Sequence, residues 1–137
     1  MSSLGQISAR LDRNLTIVGE LTKALLALRA QLSGKLEALK LQDADVEKGR
    51  EVVGKFLKDL APLLAKPPAP TDEYKAVYDK LVLAGEQPKD WAEDFGEIAK
   101  NLTEKKTPSS DELDKIMKVV GFLQGEAADD ARRLRLR

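Results

Sequence analysis

The chain has 137 residues, of which 42% are hydrophobic, 34% are charged and only 4% are aromatic. This length allows one domain, and apolar positions filled mostly by Leu, Val and Ala are typical of helical bundles, so we expect an all-α fold. The sequence contains no cysteine and no histidine. Their absence removes disulfides, thiolate nucleophiles, imidazole bases and the usual ligands of zinc and haem. We therefore expect neither a catalytic site nor a bound cofactor.

Charge is balanced over the whole chain but unevenly distributed along it. Residues 1–42 carry six basic and three acidic side chains, residues 43–130 carry thirteen and twenty, and residues 131–137 carry four arginines and no acid. This asymmetry is too small to indicate a strong nucleic-acid-binding protein. The N-terminus has no basic segment followed by an apolar one, and no apolar run approaches membrane-spanning length. We expect a cytoplasmic protein that does not contact membranes.

Apolar residues recur at alternating steps of three and four from Leu4 to Leu63, the spacing of one face of an α-helix. In heptad notation, every a position of this register is apolar: Leu4, Leu11, Val18, Leu25, Leu32, Leu39, Val46, Val53 and Leu60. This regularity predicts a coiled-coil-like helical segment over residues 1–65 that packs against other helices.

The d positions of the same register are less regular. Apolar side chains occupy five of them: Ile7, Leu21, Leu28, Phe56 and Leu63. The other four are Asn14, Lys35, Gln42 and Gly49. The cluster at 35, 42 and 49 predicts a bend, and Asp43 or Asp45 can cap a new helix, so we expect helices over 4–41 and 46–65. No glycine or proline is expected to enforce the break, which leaves one long helical rod as the alternative to a hairpin.

Prolines punctuate the second half of the sequence. Residues 66–70 form a proline-rich connector, and three shorter helices are expected after it. The first is capped by Thr71 and closed by Gly85, the second starts at Pro88, and the third follows a capping box of Ser109 and Glu112. The chain thus divides into the helical segment 1–65, the connector 66–70, a short-helix module over 71–130 and a basic tail over 131–137. The whole is expected to form a helical bundle.

A continuous apolar seam without catalytic side chains indicates a non-catalytic adaptor or scaffold protein. We expect protein partners and self-association into a homo-oligomer, because the seam must be covered by other helices. A polar residue at d, such as Asn14, commonly fixes register and oligomeric state at some cost in stability. The residues expected to form this interaction seam are Leu11, Asn14, Val18, Leu21, Leu25, Leu28 and Leu32.

The arginine-rich tail supports an alternative function. Arginine forks match phosphate oxygens, so the chain could be a small helical subunit of a nucleoprotein complex. Asp129 and Asp130 lie at helical spacing from Arg133 and would neutralise part of the charge, and no aromatic residue is interleaved for base stacking. Nucleic acid is therefore not the favoured partner. The tail residues in question are Arg132, Arg133, Arg135 and Arg137.

A second alternative comes from two acidic segments, Glu93-Asp94-Phe-Gly-Glu97 and Asp111-Glu-Leu-Asp114. Their pairing resembles the acidic motifs of all-helical nucleotide pyrophosphatases, in which carboxylates from two antiparallel helices hold magnesium. The resemblance implies a magnesium-dependent attack on a phosphate chain. The second segment begins with Asp instead of Glu and lies in a first helical turn, where the helix dipole alone favours acids.

Overall fold

The computed structural model describes residues 3–135, and over that range the chain is helical with no β-strand. Five helices pack around one core, which confirms the predicted all-α bundle and the break that separates the first two helices. In chain order they are α1 (Leu4–Ser33), α2 (Asp43–Leu64), α3 (Lys75–Leu83), α4 (Pro88–Thr103) and α5 (Ser110–Arg135).

The four long helices form an antiparallel bundle, with α3 inserted in the connection between α2 and α4. Arg10 near the start of α1 contacts Asp130 near the end of α5, whereas Arg29 near the end of α1 contacts Asp114 near the start of α5. Close packing also joins α1 to α2 and α2 to α4, and two lysines of α5 lie over Trp91 of α4. The order α1, α2, α4, α5 therefore gives an up-down-up-down arrangement.

The first helix ends at Ser33 and not at residue 41, because Gly34 adopts the left-handed conformation with φ of 70°. Its N–H donates to the carbonyls of Ala30 and Gln31 and closes the last turn. A glycine has no Cβ and adopts this conformation without strain. The expectation that no glycine enforces the break was therefore wrong, because Gly34 terminates the helix.

The second helix begins at Asp43, three residues before the predicted start. Gln42 is the capping residue, and its N–H donates to the carboxylate of Asp45 at 2.8 Å. Acids in a first turn are also favoured by the helix dipole. In the connection between the two helices, Leu36 and Leu41 pack against the core, so this segment is anchored to the bundle.

The third helix begins at Lys75, so the prediction that Thr71 caps it was wrong. Thr71 lies in a turn in which the carboxylate of Asp72 accepts a hydrogen bond from the N–H of Ala69 at 2.9 Å. Tyr74 then enters the helix with φ of 61°, a left-handed conformation that is strained for a bulky residue. Packing offsets this strain, because Tyr74 is buried and meets the ring of Phe56 edge to face at 5.5 Å.

The heptad seam faces the core, and its d positions are buried more often than its a positions. Of the nine a residues, Leu25, Val46, Val53 and Leu60 are buried, whereas Leu4, Leu32 and Leu39 are exposed. The polar residue Asn14 and the small residue Gly49, both at d, are buried as well. The sequence pattern located the helical period correctly, and the neighbouring helices decide which edge of the stripe is covered.

The last helix continues through Arg135, past the residue at which the basic tail was expected to begin. Gly121 and Gly125 lie inside this helix on its exposed side, and neither interrupts it. Buried residues recur along α5 from Leu113 to Asp130, so contact with the rest of the bundle holds the helix together over both glycines.

The backbones of α1 and α2 approach each other closely at Gly49. A Cβ atom at this position would lie 3.0 Å from the carbonyl oxygen of Ala24 and 3.5 Å from its Cα, so two backbones meet where any side chain would intrude. Gly96, in the middle of α4, has open space in the same place. The interruption that Gly49 makes in the apolar d series is therefore a site of close packing between α1 and α2.

Gly49→Ala is expected to lower the free energy of unfolding by about 1–3 kcal/mol, because the strain of separating α1 from α2 exceeds the helix propensity gained by alanine. Gly96→Ala is the matched control and should raise the free energy of unfolding by about 0.5–1 kcal/mol. Urea unfolding followed by circular dichroism measures both changes. Equal stabilisation by the two substitutions would contradict the close approach.

Candidate interaction surface

A buried ion pair joins the ends of α1 and α5. The guanidinium of Arg10 donates from Nε and Nη2 to the two carboxylate oxygens of Asp130, at 2.8 and 2.7 Å. Asp130 is fully buried, and the pair raises the pKa of Arg10 above its already high usual value, chiefly through these hydrogen bonds. Bidentate geometry is the strongest form of such a pair. It orients α1 and α5 relative to each other at this end of the bundle.

Asn14 lies one turn further along α1 and belongs to the same polar contact. Its amide nitrogen donates to the carboxylate of Glu126 at 2.8 Å, and Glu126 also lies 3.6 Å from Arg10. The Asn14 side-chain oxygen is buried without a hydrogen-bond partner among residues 3–135. Asn14 therefore fixes the register between two helices of the same chain in this structure.

Beside this network, Arg13 lies over the ring of Tyr74, with its guanidinium 5.2 Å from the ring centroid. Burial, and then the neighbouring carboxylate of Glu73, raise the pKa of Tyr74 to about 12. The phenol is therefore uncharged at neutral pH. Both residues face a shallow groove between α1 and the segment that leads into α3, where acidic and basic side chains alternate.

The structure divides the predicted interaction seam into two groups. Leu21, Leu25 and Leu28 are buried in the core of their own chain, as is Asn14. Leu11 and Val18 are half-buried. Leu32 is exposed at the end of α1. The first group covers the interior of the bundle, so only the second group is accessible to a partner of the folded chain.

An exposed face of α1 lies beside this seam and carries no charge. We call it the α1 outer face, and its residues share one side of the helix from Leu4 to Leu26 at steps of three and four. Leu4, Leu15 and Leu26 are 42%, 57% and 51% exposed. The full set is Leu4, Ser8, Leu11, Leu15, Val18, Gly19, Thr22 and Leu26. Contiguous exposed apolar patches are a mark of interaction surfaces.

The heptad series in the sequence contains three of the eight residues of this surface. Leu4, Leu11 and Val18 belong to the heptad series, but Leu15 and Leu26 fall outside its a and d positions. The signal that would have found them is the eleven-residue spacing of Leu4, Leu15 and Leu26, because eleven residues complete just over three turns of an α-helix.

The arginines at the C-terminus are partly neutralised by acids of the same helix. Arg132 forms an ion pair with Asp129, and Nη1 of Arg133 lies 3.9 Å from Asp130. Arg135 is exposed at the end of α5, and Arg137 lies outside the described residues. Contact between these arginines and phosphate stays a prediction.

The acidic segments that resemble a pyrophosphatase motif meet only in part. Asp94 and Glu97 of α4 and Asp111 and Glu112 of α5 line a shallow cavity of about 250 Å³, into which Lys115 also projects. The ammonium of Lys115 binds Asp94. Glu93 is exposed and does not line this cavity, and Asp114 binds Arg29. Within residues 3–135, no group of three or more potential ligands is placed to hold a metal ion.

No protein-family model, curated protein or solved structure matches this chain. Across residues 3–135, none of the helices combines the length and the apolar character needed to cross a membrane.

Asp130→Ala is expected to lower the free energy of unfolding by about 3 kcal/mol, because it leaves the partly buried Arg10 without its bidentate partner. Asp129→Ala removes a neighbouring carboxylate whose partner, Arg132, is exposed, and should cost less than about 1 kcal/mol. Chemical denaturation of the two variants and the parent chain measures the difference. Similar losses for both would show that the buried pair does not hold α1 against α5.

Proposed function

We propose that this protein is a non-catalytic assembly protein that associates with itself through the α1 outer face and so serves as a scaffold or adaptor. The observation that carries the proposal is the exposure of three leucines on an uncharged face, in a chain of which 34% is charged. Covering the exposed part of each leucine would contribute about 1 kcal/mol. Together these contributions favour association with another apolar surface.

The interior of the bundle supports this proposal. Leu21, Leu25 and Leu28 are covered by helices of the same chain, so association does not require the bundle to open. The contacts of Arg10 and Asn14 with α5 hold the back of α1 in place. A helix held in this way presents a preformed surface, which lowers the entropic cost of binding.

Length distinguishes the α1 outer face from the exposed apolar pair at the end of α3. Val82 and Leu83 form a pair at the end of α3, where Leu83 is 79% exposed. Two residues at a helix end offer a small contact area. The α1 outer face extends over about 33 Å, the length of 22 helical residues, and is therefore the stronger candidate.

Leu15→Glu is expected to abolish self-association, because it places a charge at the centre of the α1 outer face. Leu83→Glu introduces the same charge at a more exposed leucine outside that face and should leave association unchanged. Light scattering and sedimentation equilibrium from about 1 µM to about 500 µM measure the molecular mass of the parent chain and both variants.

The expected result is a mass that increases with concentration for the parent chain and for Leu83→Glu, and a constant monomer mass for Leu15→Glu. Circular dichroism verifies that both variants keep the helical content of the parent. A parent chain that is monomeric over the whole range, or equal association of all three proteins, would contradict the proposed function.

A further inference from the structure

The three exposed leucines of the α1 outer face are evenly spaced. Leu15 lies eleven residues after Leu4 and eleven before Leu26, which corresponds to about 16 Å in each direction along the helix axis. Leu15 is thus the midpoint of the row. A row with equal spacing about a central residue is unchanged when its direction is reversed.

We propose that the partner of the α1 outer face is a second copy of this chain, placed antiparallel so that a two-fold axis passes beside Leu15. This inference rests on the proposed function and specifies the geometry of the assembly. Leu15 then meets Leu15 of the second copy, and Leu4 lies at the level of Leu26 of the second copy. Two-fold symmetry is the commonest arrangement of homodimers and requires a self-complementary surface.

The remaining residues of the face obey the same symmetry. On the edge of the face that carries Val18, Leu11 lies within about 2 Å, along the axis, of the level of Val18 of the second copy, so two apolar side chains meet there. Ser8 shares a level with Thr22 of the second copy, so the two hydroxyl groups lie at the same height along the axis. The face itself contains no charged residue, and the charged residues nearest to it are Asp12 and Lys23 along one edge.

Charges beside the face favour the antiparallel direction. Asp12 and Lys23 are exposed on the same edge of α1, and neither forms an ion pair within the described part of the chain. Antiparallel helices bring equal edges together, so Asp12 approaches Lys23 of the second copy with an axial offset of about 8 Å, within reach of the long lysine side chain. The two Asp12 carboxylates lie about 9 Å apart along the axis, and their short side chains cannot close that gap. In a parallel pair, the edge that carries Asp12 and Lys23 would meet the opposite edge of the second copy. That edge carries Val18 and has no charged residue between residues 4 and 26.

The area of the contact sets its strength. A face about 33 Å long and about 10 Å wide buries about 700 Å² when both copies are counted. Stable complexes bury about 1,200 Å² or more, so this dimer belongs to the weak, reversible class and forms at micromolar or higher concentrations. The experiment must therefore trap the dimer under conditions in which it exchanges.

Cysteine cross-linking tests the geometry, because the chain has no native cysteine. The variants are Leu4→Cys, Leu15→Cys and Leu26→Cys, together with Leu83→Cys as an exposed control outside the face. Each is oxidised alone at about 100 µM, and Leu4→Cys is also mixed with Leu26→Cys. Non-reducing electrophoresis and mass spectrometry measure the rate and the composition of the disulfide-linked dimers.

The antiparallel dimer predicts rapid linkage of Leu15→Cys alone and of the mixture of Leu4→Cys with Leu26→Cys. Both rates should exceed that of Leu83→Cys by about tenfold or more, because association raises the effective thiol concentration. Leu4→Cys alone and Leu26→Cys alone should link no faster than the control, since their thiols lie about 33 Å apart across the two-fold axis.

Two results would overturn the inference. Rapid linkage of all three single variants alone would show a parallel pair, and rates equal to that of Leu83→Cys would show that the α1 outer face does not meet itself. The failure of this geometry is distinguishable from the failure of the proposed function. A dimer that Leu15→Glu abolishes but that lacks the predicted cross-links retains the function and excludes only the antiparallel arrangement.

Discussion

The structure depends on covering one apolar seam along α1 and α2. A long amphipathic helix cannot leave such a seam in water, and it can be covered either by other chains or by the same chain. Here the turn at Gly34 returns the chain onto α1, and α4 and α5 complete the enclosure. The buried Arg10–Asp130 pair then determines how α5 lies on α1. Closure within one chain uses most of the seam for folding, so the proposed association must use the part of α1 that the other helices leave exposed.

The fold could be predicted from the sequence where the signal is periodic. The spacing from Leu4 to Leu63 indicated helices, the prolines marked the connector, and the capping box of Ser109 and Glu112 located the start of α5. These signals act within one or two helical turns and depend little on tertiary contacts. The end of α1 is also a local feature, but the polar d positions at 35, 42 and 49 placed the expected break after Gly34.

The candidate site could be predicted less well, because it depends on which edge of α1 the other helices leave exposed. The pattern alone could not show that Leu25 is buried while Leu15 and Leu26 face solvent, since all three lie on one broad apolar stripe. Likewise, Asn14 has the chemistry of a register-setting residue, but its partner, Glu126, lies 112 residues away. Only the packed structure separates the face used for folding from the face available for association.

Amide proton–nitrogen correlation spectra of the labelled chain, recorded from about 10 µM to about 1 mM, test the central claim most directly. An intramolecular bundle that associates through the α1 outer face predicts concentration-dependent shifts confined to that face and its edges, with the core amides unchanged. Spectra that do not change with concentration, or shifts centred on the end of α3 near Leu83, would contradict the account.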